Sequence, residues 1–336
     1  MRARASSKLA VFAAASLLLA AVALLSLTLG AIALPPVDVA RALFGQGSAE
    51  NNMIVLQLRL PRVLAAIMVG AALGTAGALL QGVIRNPLAS PDILGVTGGA
   101  SVFVVGFMTI FAGISIHLIP FIAMAGALCA AALNYALAWR NGIAPARLVM
   151  IGIGLSTAAG SLTTFLLISG PAYLANQILN WTTGSLYGVN WSYIGMLWPW
   201  LALFLPLSLL LANGLNVQAL GDETAIGLGS RLQGNRLASL AVCTALVGAA
   251  VGVAGMLSFI GLMTPHMARK LAGLSYHCVL PLSALLGGII LLLADLAGRM
   301  LFAPLDIPAG VFTAGVGAPF FLYLLYKTRR SSPLSR

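Results

Sequence analysis

Few residues in this 336-residue chain are equipped for chemistry. The phosphate-cradling pattern GxxxxGK[ST] is absent, so the chain does not hold and hydrolyse ATP by that route. HExxH and CxxC are also missing. Cys129, Cys243 and Cys278 lie in or beside apolar runs without metal-like spacing, and an odd number builds no disulfide framework. They read as small core or lipid-facing residues. His117, His266 and His277 fall singly in connecting segments, where a histidine is ordinarily solvated or hydrogen-bonded. No catalytic residue, metal site or bound cofactor is expected, which leaves the charged residues to be read for recognition and topology.

Asp295 is a carboxylate inside an apolar run, and Arg299 follows four residues later on the same helical face, so the two can pair. A carrier driven by protons or sodium places acids at mid-membrane, so ion coupling through Asp295 is the rival to a structural pair. Arg59 and Arg62, in Leu58-Arg-Leu-Pro-Arg62, precede one apolar run, and Arg299 closes another. They read as headgroup anchors that snorkel, or as docking points for an acidic soluble partner. The segment 213–236 carries Asp222-Glu223 at the start of a short helix, amid the small residues Ala219, Ala225, Gly227 and Gly229. Such a segment is either a helix that docks in a partner's groove or an amphipathic surface loop.

These residues are set among apolar helices. Apolar types make up 60% of the chain and charged types 7%, with a mean hydropathy of +1.02. Soluble domains carry about 25% charged residues, so lipid is the main solvent here, and disorder or a soluble enzyme is excluded. The net charge of +11 comes from 18 basic residues set in short gaps between apolar runs, which is a topology signal and not a nucleic-acid surface. The runs predict helices over 9–34, 63–84, 93–111, 118–139, 148–169, 193–212, 237–257, 279–302 and 308–326, with a short one over 258–267 broken by Gly261 and Pro265. The first run is too long for the apolar core of a cleaved signal peptide and is read as a retained helix.

Charge decides whether the short run crosses. With ten crossings and a cytoplasmic N-terminus, Arg41, Arg59, Arg62 and Arg299 lie outside and the other fourteen basic residues inside. With nine, the basic C-terminal tail would lie outside. Ten is therefore the expectation. Trp181, Tyr187, Trp191, Trp198 and Trp200 gather around one outer loop and the next helix, as an interfacial aromatic belt would. The stretch from Val69 to Gly77 (VGAALGTAG) recurs from Val247 to Gly255 (VGAAVGVAG), and Pro87 and Pro265 keep the same offset. Five crossings separate the copies, so they run in opposite directions, as in inverted-repeat transporters. Gly70-x-x-x-Gly74 and Gly248-x-x-x-Gly252 also allow close helix packing.

Over essentially its whole length the chain resembles the FecCD family, the permease subunits of bacterial ABC importers for iron-siderophore complexes and vitamin B12. The resemblance rests on Leu58–Arg62, on Gln81–Gly95 (QGVIRNPLASPDILG), on Trp181–Gly188 (WTTGSLYG), on Ala219–Gly229 (ALGDETAIGLG), on Ser258–His266 (SFIGLMTPH) and on Ala294–Arg299 (ADLAGR). The Arg85–Gly95 stretch is most similar to the ferric citrate branch.

The resemblance implies an all-α, ten-helix integral membrane fold in a permease dimer, homodimeric or heterodimeric. It implies two ATPase subunits inside, which carry ATP and Mg, and a binding protein outside. It implies that Arg59, Arg62 and Arg299 meet acids of the binding protein. Ala219, Leu220, Gly221, Asp222, Glu223, Ala225, Gly227 and Gly229 would sit in the ATPase groove, Asn86 and Leu88 would contribute to a cytoplasmic gate, and the helix 148–169 would line the pathway. The cargo implied is an iron(III)-siderophore or ferric citrate chelate, with vitamin B12 or haem as the alternative within the family.

Overall fold

The computed structural model describes residues 2–30, 32–111, 118–140, 142–303 and 305–330, with side chains from residue 8 to 327 within those ranges. His117 and Arg336 lie outside the described residues. The chain is helical, in the order α1 (Arg2–Thr28), α2 (Pro36–Leu43), α3 (Ala49–Asn52), α4 (Leu60–Ile84), α5 (Val96–Ile110), α6 (Ile119–Ala138), α7 (Pro145–Ser169), α8 (Ala175–Thr182), α9 (Trp191–Leu210), α10 (Ala212–Gln218), α11 (Asp222–Gly227), α12 (Leu232–Ala254), α13 (Ile260–Ala272), α14 (Tyr276–Met300) and α15 (Ala309–Arg330). A π-helical segment, Met53–Arg59, joins α3 to α4, so that helical backbone runs unbroken from Ala49 to Ile84. The expected start at 63 was therefore late. Polar Asn51, Asn52 and Gln57 interrupt the apolar run without interrupting the helix.

Among the described residues, eight helices are long and apolar enough to cross a membrane, and α5 and α13 are shorter. The α5 run begins not as an α-helix but as the 3-10 turn Pro91–Leu94, because Pro91 starts a tight turn and Gly95 then adopts a left-handed φ of +82°. Helix α13 covers 260–272 and not 258–267. Gly255 ends α12 and Phe259 precedes α13, both with positive φ, while Pro265 is carried inside the helix. Packing against neighbours makes such breaks and internal prolines tolerable at membrane depth.

Close contacts give the helix directions. On α4 and α14, Gly70 lies against Gly287 and Gly74 against Ser283, so the two are antiparallel. A Cβ on Gly70 would come within 2.7 Å of the Gly288 nitrogen and closer still to the Gly287 carbonyl. The small-residue spacing is thus used for direct backbone contact. Gly248 and Gly252 of α12 lie against Ala127 and Pro120 of α6. Helices α5 and α7 run parallel, with Gly98 near Ala159 and Ser101 near Thr163. The two repeat-bearing helices, α4 and α12, are antiparallel: the Cys243 thiol donates to the Ala76 carbonyl at 3.3 Å, and Arg85 and Arg236 share one carboxylate. That is the relation an inverted repeat requires.

Helices α4, α12 and α14 form the buried centre, with 83%, 83% and 67% of their apolar windows enclosed. Helix α7 lies at the margin, with 6% enclosed.

Candidate functional site: two ends and a partition

One end of the bundle gathers Arg59, Arg62 and Arg299, the other Arg85, Arg236 and the α10–α11 segment. At the first end, Arg62 opens α4 just after Pro61, a residue that suits a first helical turn. Its Nε donates to Asp295 Oδ1 at 2.8 Å, and its Nη1 and Nη2 donate to the two oxygens of Asp306 at 2.6 and 2.8 Å. Arg299 lies 3.2 Å from Asp295 Oδ2 and donates to Ser26 Oγ at 2.6 Å. The side chains of Arg62, Arg299 and Asp295 are 13%, 11% and 1% exposed, and that of Asp306 is 24% exposed. The Asp295–Arg299 pairing expected from the i, i+4 spacing is present, with Arg62 added to it. Two cations and two carboxylates in direct contact form a neutral, desolvated group that ties α4 to α14.

Arg59 differs from its neighbours. It is 7% exposed and donates to the carbonyls of Leu27 (2.6 Å), Thr28 (3.0 Å) and Ile32, at and just beyond the end of α1. Helix ends leave carbonyls without intrahelical partners, and Arg59 fills that need. Arg59, expected to face a soluble partner, directs three hydrogen bonds to carbonyls inside the chain. Gly30 permits the approach, since a Cβ there would lie 2.8 Å from Arg59 Nη2.

Between the ends, α8 separates two polar spaces. On one side is a cavity of about 810 Å³ lined by Tyr173, Asn176, Gln177, Asn180, Tyr187 and Asp306, among others. On the other are adjoining cavities of about 410 and 460 Å³ that share Asp92, Thr97, Thr182 and Met256. Ser156, Gly160, Thr163 and Thr164 of α7 line the larger of these two. Several hydroxyls already have partners: Thr164 donates to the Gly160 carbonyl, Ser156 to the Asp92 carbonyl, and Ser101 and Thr163 pair at 3.1 Å. Hydroxyls satisfied in this way offer a polar lining without strong demand for a ligand. Of the aromatic residues expected as an interfacial belt, Trp181 and Tyr187 also line the 810 Å³ cavity, while Tyr187, Trp191 and Trp198 are exposed.

At the other end, Asp222 opens α11 and receives Arg85 at 2.9 Å and Arg236 at 2.8 Å. Arg236 also donates to the Ile143 carbonyl, so three connections meet there. Gly221 precedes α11 with φ of +108°, a turn that side-chained residues rarely adopt. Ala225 is buried, while Ala219, Glu223, Gly227 and Gly229 are exposed. Leu220, Ile226 and Leu228 are 62%, 60% and 63% exposed. The pinned acid and the outward leucines and isoleucine make a rigid apolar knob. Asn86 Oδ1 accepts the Leu88 amide at 2.9 Å, closing a turn directly after α4, with Asn86 exposed and Leu88 half-buried. Gln81 holds this turn by donating to the Ala89 carbonyl, and Arg269 donates to Gln81.

Sequence reasoning singled out Asp295 and missed Asp306 and Asp92. Asp306 sits in the connection before α15, where an acid looks solvated, and Asp92 sits beside the predicted start of a span. The role of α8 was equally hidden, because eight residues give no strong periodic signal.

The chain matches the model of the FecCD transport family over residues 18–327. It is 47% identical to the probable siderophore transport system permease protein YfhA of Bacillus subtilis (strain 168), with 89% of each chain covered. It is 42% identical to the Fe(3+) dicitrate transport system permease protein FecD of Escherichia coli (strain K12), covering 84% of this chain and 88% of that one. Among solved structures, a metal-chelate type ABC transporter in an inward-facing conformation superposes with a TM-score of 0.84 at 30% identity, covering 94% of this chain and 98% of that one. Family match, identity over most of the length and shared three-dimensional arrangement agree: the chain belongs to the FecCD transport family.

Proposed function

We propose that this chain is the permease subunit of an ATP-binding-cassette importer that carries an iron(III) chelate, of the siderophore or ferric citrate type, into the cytoplasm across a bacterial inner membrane. Both termini lie in the cytoplasm in this reading, because the end bearing Asp222 carries most of the basic residues. The observation that carries the proposal is the partition: α8 stands between an open polar cavity on the Asp306 side and hydroxyl-lined cavities on the other. A conduit needs a polar lining that holds cargo weakly and a barrier that moves.

The chain pairs with a second permease, identical or related, along the weakly enclosed α7. The knob formed by Leu220, Ile226 and Leu228 seats in the groove of an ATPase subunit, which binds ATP and Mg. Nucleotide-driven closure of the two ATPases then moves α10 and α11, and Asp222 passes the motion to α4 and α12 through Arg85 and Arg236. The turn holding Asn86 and Leu88 lies beside that junction and acts as the inner gate. Outside, a binding protein presents acids to Arg62 and Arg299.

An ion-coupled carrier is the competing class. Asp295 would be its coupling acid, yet it is held by two arginines and is 1% exposed. The test is uptake of radiolabelled ferric citrate and a ferric hydroxamate into proteoliposomes. Uptake is expected only with ATPase, binding protein and ATP present. Uptake by this chain alone, dependent on a proton or sodium gradient, overturns the proposal.

A further inference from the structure

Arg62 is held by two carboxylates of unequal standing. Asp295 is 1% exposed and also contacts Arg299, so it cannot leave without stranding buried charge. Asp306 is 24% exposed, sits in a connection and lines the 810 Å³ cavity. It meets Nη1 and Nη2 side by side, the fork geometry that any incoming carboxylate would adopt. If Asp306 departs, Arg62 keeps Asp295 as a partner, and the two arginines are left with one carboxylate between them, a net positive charge that an incoming carboxylate neutralises.

The segment 305–308 is tied at both sides. The Ile307 amide donates to the Gly298 carbonyl of α14 at 3.3 Å, and α15 begins directly after Pro308. The Gly310 amide donates to the Gly184 carbonyl at 2.9 Å, just beyond α8. Gly310 also lies so close to Thr183 that a Cβ there would fall 3.0 Å from the Thr183 carbonyl carbon and nearer still to its oxygen. Thr183 caps α8 and, with Thr182, lines the 410 Å³ cavity. A continuous set of contacts thus joins Arg62 to the partition through Asp306, the 305–308 segment, Gly310 and Thr183.

We infer that Asp306 is a resident substitute for the docking partner's carboxylate, and that its exchange on Arg62 for that carboxylate frees the 305–308 segment and shifts α8. Asp306 is then a positioning residue: it keeps the partition shut while no partner is docked and gives way when one arrives. The inference rests on the docking role proposed for Arg62. It adds that docking is a swap of carboxylates with a mechanical consequence, and not simple attraction.

The experiment uses the assembled transporter in nanodiscs, with its purified, cargo-free binding protein as the probe. A cysteine at the partition, Thr182→Cys in a Cys129→Ser, Cys278→Ser background, reports opening through its labelling by a membrane-impermeant maleimide. In this parent, labelling should be slow alone and several-fold faster with binding protein. Asp306→Asn removes the competing charge. It should tighten docking about two- to fivefold, the scale of a partly exposed ion pair, and should make labelling fast without any partner. Asp306→Glu should restore both parent values.

Arg62→Glu separates the two ideas. If it leaves docking unchanged, the docking role falls. If it abolishes docking while Asp306→Asn behaves as the parent in both measurements, the docking role stands and the exchange is refuted. Tighter docking by Asp306→Asn with parent labelling overturns the link to α8.

Discussion

Arg59→Met keeps the apolar stem of the side chain and removes the guanidinium. In the structure that group serves the carbonyls of Leu27, Thr28 and Ile32. The Thr28 carbonyl has a second donor in the Leu34 amide at 3.0 Å, so the substitution chiefly deprives the other two. A hydrogen bond from a charged donor contributes about 1.5–3 kcal/mol. Two would total roughly 3–6 kcal/mol, and water reaching the end of α1 reduces the loss toward the lower figure, about 3 kcal/mol. At ~2–4 °C per kcal/mol for a large domain, the melting midpoint should fall by roughly 6–12 °C. Arg59→Lys should recover only part of this, because an ammonium cannot span the carbonyls as a planar fork does.

The assay is thermal melting of the detergent-solubilised transporter, read as the fraction still monodisperse after heating, beside a binding-protein pull-down at a temperature where each variant is folded. Reduced melting with intact docking is expected. If Arg59→Met melts within about 2 °C of the parent, a shift below that expected from two lost charged bonds, and docking is lost, the capping account is wrong and Arg59 belongs to the outer surface.

Gly70→Ala would force α4 and α14 apart and should cost about 1–3 kcal/mol by overpacking. Gly195→Ala on α9, with nothing within 4 Å of the added methyl, should be neutral or stabilising, and equal melting of the two variants would refute the contact. Asp222→Asn leaves Arg85 and Arg236 without their shared anion, so stimulated ATP turnover should drop at least several-fold while limited proteolysis cuts faster around 219–230. Unchanged coupling would remove Asp222 from the transmission route. Replacing Leu220, Ile226 and Leu228 with serine should leave melting unaltered, since all three are exposed, yet abolish co-purification of the ATPase subunits. Retained co-purification would place the ATPase contact elsewhere.

Arg59, Arg62 and Arg299 show how far residue types could carry the reading. In the chain they look alike: basic residues at the ends of apolar runs, on the side that carries few cations. Folded, one caps a helix and two share a four-group ion cluster. Their difference comes from Leu27, Asp306 and Ser26, partners up to 273 positions away, which no local pattern specifies. Asp222 was legible as the start of a short helix, but its clamp by Arg85 and Arg236 was not.

What the sequence determined by itself was everything governed by local energetics. Long apolar runs must be helices in lipid, because a backbone there has no water to bond. Segregated basic residues set the alternation of crossings, and the repeated VGAA stretches announced two small-residue helices of opposite sense. Tertiary structure alone decided where each polar group found its complement. It split a predicted span into the 3-10 turn before α5 and α5 itself, moved α13 along the chain, and set the eight residues of α8 between the 810 Å³ cavity and the two adjoining smaller ones. Those outcomes depend on the burial and pairing of groups distant in the chain. An isolated carboxylate such as Asp306 has no meaning until the fold brings a guanidinium to it.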